Sequence, residues 1–119
     1  MALNEVGLEA LATLLRATIG DAQLHSAGAG VNGTDNICVT GRLPIIWGLS
    51  TNGSFGLQSP LRFIAGIPNS PVHSVTLWDS EMDGVFYGEF PLSGGHGQMN
   101  LEGEFIVTAL DFLASSTDA

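Results

Sequence analysis

The rhythm of apolar and polar positions changes once along the chain, at Gly20. Before it, "MALNEVGLEALATLLRATIG" places Leu3, Val6, Ala10, Leu11, Leu14 and Leu15 at helical spacings, which leaves one broad apolar stripe. This predicts a helix over about 3–19 with Asn4 as its N-terminal cap and Gly20 as its stop. Glu5 and Glu9 fall in the early turns and Arg16 in the last, the order the helix dipole favours. Gly7 weakens the first turn by about 1 kcal/mol relative to alanine.

Beyond Gly20, short runs rich in Ile, Val, Phe, Leu and Thr alternate with clusters of Gly, Asn, Ser and Pro. That alternation predicts strands near "DAQLHS", "ICVTG" to "LPIIWG", "SFGLQS", "LRFIAG", "VHSVTLWD" and "VFYGEFPL", and along the long "QMNLEGEFIVTALDFL". In "HSVTLW", Val72, Ser74 and Thr76 share one face and His73, Val75 and Leu77 the other. The connections "GAGVNGTDN", "STNG", "GIPNSP", "DSEMDG" and "SGGHG" carry glycine or proline where a chain must reverse. The polar tail "ASSTDA" reads as a frayed end. A helix of this length is marginal alone in water, so it has to dock on the sheets. The fold class expected is mainly β: an N-terminal α-helix followed by a compact antiparallel β-sandwich in one domain over 1–119, a jelly roll being one form of it.

Charge then narrows the partners. The chain has 119 residues with no lysine, and three arginines face twelve acids for a net charge of −9. Such a surface repels phosphate backbones and anionic membranes, so neither nucleic acid nor lipid is an expected partner. The lone Cys38 cannot form an internal disulfide and reads as a small buried hydrophobe. No secretory signal and no bilayer-spanning run is visible, which places synthesis in a reducing cytoplasm.

The most suggestive chemistry is "LWDSEMDGVF", where Asp79, Glu81, Asp83 and Gly84 resemble the opening of an EF-hand loop. Counting Asp79 as the first position, the twelfth is Phe90, and Glu89 falls one place early. The flanks are strand-like where helices are required. These acids are therefore a weak metal candidate, and the stretch reads as a hairpin tip that Asp79 opens through its side chain and Gly84 closes with positive φ. His25, His73 and His96 stand far apart, so zinc has no ligand cluster. No nucleophile elbow is present, although a Ser-His-Asp triad has no fixed spacing and paired acids stay open, and "SGGHG" lacks the helix and the lysine of a phosphate cradle, so no catalytic constellation and no cofactor site stands out. Asn32-Gly33-Thr34 and Asn52-Gly53-Ser54 are sequons that read as turns. Most aromatics read as core, with Trp78 and Tyr87 as candidate contact anchors. Arg16, Arg42 and Arg62 are the candidate cations of an interface.

Taken whole, the chain resembles a family of small structural proteins of tailed bacteriophages, mostly of actinobacteria. The likeness rests on the opening "MALNEVGLEALATLL", on Leu24-His25-Ser26-Ala27, Trp47-Gly48, Trp78-Asp79 and Pro91-Leu92 in that order, and on "EFIVTAL" near the end. The family turn after Trp-Asp carries small polar residues, so Glu81 and Asp83 elaborate a turn. The stretch after "SAGAG" also departs from the family pattern. What the resemblance implies is a non-enzymatic virion component, described in such proteins either as head decoration or as tail fibre. The absence of a fibrous repeat or coiled coil favours a capsid decoration protein, expected as a homotrimer on the major capsid protein at the capsid exterior. Attachment is expected through apolar burial and strand or arm addition. A tail-fibre or minor tail component and a carbohydrate-binding module are the alternatives, and a small hydrolase is the weakest.

Overall fold

Helix α1 (Glu5–Thr18) begins where Asn4 accepts the Gly7 N–H through its side chain at 2.9 Å. The structure, a computed structural model, describes residues 3–92 and 97–113. The glycine-rich stretch at 93–96 with His96, and the tail from 114 onward, lie outside the described residues. The helix ends one residue earlier than expected, and not on a left-handed glycine. Ile19 swings into extended backbone while its N–H still reaches the Leu15 carbonyl. Two contacts outcompete a glycine cap here: the Trp47 indole N–H donates to the Ile19 carbonyl at 2.7 Å, and Gly20 pairs into the sheet through the Trp78 carbonyl and the Ile45 N–H.

The remainder is mainly β, with antiparallel strands β1 (Asp21–His25), β2 (Ile37–Pro44), β3 (Leu61–Phe63), β4 (Pro71–Val72), β5 (Ser74–Trp78), β6 (Phe86–Pro91), β7 (Gly97–Gln98) and β8 (Phe105–Val107). They form one four-stranded sheet in the order β2-β1-β5-β6 and two pairs, β3-β8 and β4-β7. The expected strand "SFGLQS" contributes only isolated bridges, Thr51 to Ser54, Trp47 to Leu57 and Phe55 to Phe112. The long strand expected over 98–113 is broken. Asn100 accepts the N–H groups of Glu102 and Glu104 on its side chain, and this local turn outcompetes a continuous ladder.

The register of the large sheet sorts its residues onto two faces. Ala22, Leu24, Val75 and Leu77 are opposite one another across β1 and β5 and lie in the apolar core with Phe63, Leu61, Val107 and Ala12 of the helix. Trp47, Phe55, Phe112 and Phe90 continue this layer as a chain of ring contacts at 4.8–5.6 Å. The opposite face carries Gln23, His25, Ser74, Thr76 and Trp78, all of them buried. It is covered by the loop from Ser26 to Asn36 and by the β5–β6 hairpin tip. Both edges of this sheet are interrupted. Between Gln23 and His25, β1 has only Leu24, whereas β2 has Cys38 to Gly41 opposite it. On the other edge, Leu92 donates to the His73 carbonyl, so Pro91, opposite Ser74, falls where an N–H would point outward.

Candidate interaction surface

The acidic tip folds as a turn. Asp79 Oδ1 accepts the Val85 N–H at 2.8 Å, the Ser80 hydroxyl donates to the Met82 carbonyl, and Gly84 takes φ of 79°. Asp79, Glu81 and Asp83 all face solvent, and among the described residues no three His, Cys, Asp or Glu side chains gather to hold a metal. Asp79→Asn keeps the accepting oxygen and should leave stability unchanged, whereas Asp79→Ala is expected to cost about 1 kcal/mol in urea denaturation. Equal stability of the two variants would remove Asp79 from the turn.

Arg42 holds this tip to the sheet. Its guanidinium lies 3.9 Å over the Trp78 ring, Nε donates to Gln23 Oε1 at 3.0 Å, and Nη1 donates to the carbonyls of Ser80 at 2.9 Å and Asp83 at 2.6 Å. Stacking and a planar donor fork are what arginine supplies and lysine does not. Trp78 is therefore only 3% exposed and cannot serve as the contact anchor expected of it; Arg42 and the tip have taken its face. Tyr87, at 43%, does face outward. Beside the clamp, burial lifts the Asp21 carboxyl above its ordinary range, with Arg42 pulling the other way and Glu81 and Asp79 adding to the rise.

Beneath the Ser26–Asn36 loop lies a polar chain that local sequence patterns do not announce. His25 is fully buried, with Nδ1 2.7 Å from the Asp35 carbonyl and Nε2 2.7 Å from Thr76 Oγ1. A carbonyl can only accept, so the proton sits on Nδ1 and the Thr76 hydroxyl donates to Nε2. The Trp78 indole N–H in turn donates to Thr76 Oγ1 at 2.8 Å. Nearby, Glu89 accepts from the Ser74 hydroxyl and, at 3.0 Å, from the Ala29 N–H, which ties the loop to β6. The Ser74 bond is the main reason the Glu89 carboxyl is held below its ordinary range, with Ala29 helping. The alternation of Ser74 and Thr76 in "SVTLW" is the available signal, but it reads equally as a solvated face.

The other two arginines have structural partners. Arg16 reaches Ser50 Oγ at 3.5 Å, and the same hydroxyl donates to Glu9, which also accepts the Gly53 N–H at 2.9 Å. These bonds pin the helix to the "STNG" turn. Arg62 pairs with Glu104 on the surface, a kind of pair that contributes little to stability. What the molecule presents outward is mostly uncharged. Val31 (94% exposed), Leu49, Leu101 and Leu113 (84%) all face solvent.

The expected helix stripe is the clearest correction. Of α1 only Ala12 is fully buried, with Leu15 packed against the core beside it; Val6, Ala10, Leu11 and Leu14 point outward. Glu5, Glu9 and Arg16 share one narrow flank and apolar positions span most of the rest, so periodicity alone could not choose which part of that wide stripe docks. A scan against protein-family models finds no match, and a search of curated proteins finds no significant one.

Proposed function

We propose that this chain is a virion structural protein, a capsid decoration protein that sits on the outside of the head, binds the major capsid protein as a homotrimer and stabilises the shell without enzymatic activity. The observation that carries the reading is the mismatch between a complete apolar core and the large hydrophobic side chains left outside it, among them Val6, Leu14, Val31, Leu49 and Leu113. Scattered apolar residues are ordinary on a surface. Here seventeen large ones are exposed among the described residues of a chain in which only 13% of residues are charged, which suits a protein covered by neighbours in its working state. The extents of 47 × 28 × 28 Å suit a small knob repeated on a lattice. Interrupted sheet edges favour attachment through apolar side chains over strand addition.

A packaged genome presses outward on its shell, and a protein that bridges neighbouring subunits opposes their separation. Three linked copies gain over one through effective concentration, even when each contact is modest. Apolar attachment is insensitive to screening, so particles washed in molar salt should keep the protein. Gold labelling of intact particles checks the location: many copies over the head are expected, whereas a few copies at the tail would assign the chain to the tail. Release by moderate salt would contradict apolar attachment.

A further inference from the structure

We propose that the Ser26–Asn36 loop is an acid-released strap: proton uptake beneath it lifts the loop from the polar face of the sheet while the apolar core stays closed.

The loop is built to move as one piece. Its base is closed by the Ser26 N–H donating to the Asn36 carbonyl at 2.9 Å, and its middle by the Asp35 N–H donating to the Ala29 carbonyl at 2.9 Å. Among the described residues, two polar links tie this body to the sheet: His25 Nδ1–H to the Asp35 carbonyl, and the Ala29 N–H to Glu89. No residue from 26 to 36 belongs to the apolar core; Ala29 is fully buried but lies outside it. Apart from the Phe86 ring under Gly33, lifting the loop uncovers the layer of Gln23, His25, Ser74 and Thr76, whose polar groups water can serve. Openings that leave the core intact are the cheapest a fold has.

Both links weaken in acid. A second proton on His25, at Nε2, would point at Thr76 Oγ1, which already accepts the Trp78 indole N–H at 2.8 Å. The threonine hydrogen would then have to turn to the Gln23 carbonyl, 3.5 Å away. Burial is the strongest influence on the ring and opposes that proton. The Asp35 carbonyl, Glu89 of β6 and the Asp35 carboxylate favour it, and Arg42 of β2 opposes it. A lifted loop lets water accept from Nε2, so below the ordinary 6.5 protons go to the open form first. Glu89 follows below its ordinary 4.5. The bonds from Ser74 and Ala29 favour its ionised form, with His25 and His73 helping, and a proton there loosens the grip on Ala29. The two groups therefore act in the same direction. The loop also carries Val31, Asn32 and Thr34, which wall a cleft against Arg42, Asp83 and Phe86. Lifting dismantles that cleft, so the face shown to a neighbour differs between neutral and acid conditions.

Native-state hydrogen exchange on the full chain tests this, each amide being referred to an unstructured peptide at the same pH. The Ala29 and Asp35 amides should be at least about tenfold less protected than those of β5, and low urea should leave their exchange unchanged. From about pH 7.5 to about pH 5.5 their protection should fall by up to about tenfold, the most that one proton gives over this range. His25→Gln should abolish that fall and keep the one below 4.5. Should that variant fail to fold, the wild-type ring followed by NMR is the second reading: it should titrate below 6.5, in step with the signals of the loop amides. Loop amides as protected as β5, and as sensitive to urea, would mean that the loop opens only with the whole fold, which overturns the strap. So does loop protection that holds steady across the range, a folded His25→Gln chain that keeps the dependence, or a ring that titrates apart from the loop.

Discussion

Thr76→Val is expected to lower stability by about 3 kcal/mol, although the substitution keeps shape and β-branching. The hydroxyl serves two buried groups at once, donating to His25 Nε2 at 2.7 Å and accepting the Trp78 indole N–H at 2.8 Å. Valine leaves both without a partner, and neither can reach solvent, since His25 and Trp78 are buried. Each orphaned group costs its desolvation, about 1–3 kcal/mol. Chemical denaturation with tryptophan fluorescence measures the loss. A change below about 1 kcal/mol would mean that the two groups find other partners or water.

The same chain makes the fold acid-sensitive in a definite order. Burial holds the His25 imidazole below its ordinary 6.5, outweighing the Asp35 carbonyl and the Glu89 charge, which pull it up. The unfolded chain therefore takes the proton first as pH falls. The stabilisation from neutral His25 is complete above 6.5 and declines below it, toward the lower folded value. Glu89 and Glu9 are held below their ordinary 4.5, so their contribution is lost in a second stage, as pH drops under 4.5 and through their folded values. Melting temperature followed against pH should decline in these two stages. A flat profile between neutrality and the start of carboxylate titration would remove His25 from the account.

Gly103→Ala is the second large effect, again about 3 kcal/mol. Gly103 has φ of 73°, and a Cβ there would lie 2.1 Å from the carbonyl oxygen of Gly66. That oxygen is backbone and cannot rotate away. The same two residues are joined by the Gly66 N–H donating to the Gly103 carbonyl at 2.8 Å, so relieving the clash breaks this bond. Gly41 provides the control, because its φ is 75° but nothing lies within 4 Å of its Cβ position. Gly41→Ala should cost only the left-handed backbone penalty, about 1 kcal/mol. Equal losses for the two variants would show that the close crossing of 66 and 103 is dispensable.

What is legible in the sequence is local. Asn4, Asp79 and Gly84 act within a few residues of themselves, and each does what its residue type and position imply. The strands β1, β5 and β6 are legible from alternation and from the turns that bound them. The helix is legible as a helix but not in its orientation, because Val6, Leu14 and Leu15 are alike in polarity and only the docked body distinguishes them. Trp78 reads as a contact anchor until its cover is seen, and that cover comes from Arg42, far away in sequence. His25 and Thr76 are 51 positions apart, and only the register of β1 against β5 brings them together. The break in the final strand has a visible cause in Asn100 and Gly103, overshadowed by the apolar residues on either side.

The interrupted sheet edges also decide how this chain can join other chains. Cys38 to Gly41 break the register on one edge and Pro91 withholds a donor on the other. A straight strand edge would accept the edge of any neighbour, and each addition would expose a fresh edge, so growth would run on into fibres during synthesis. Denying the backbone that role leaves side-chain fit as the means of joining, which stops when its surfaces are filled. Association of that kind has a natural end, whereas strand-by-strand growth has none.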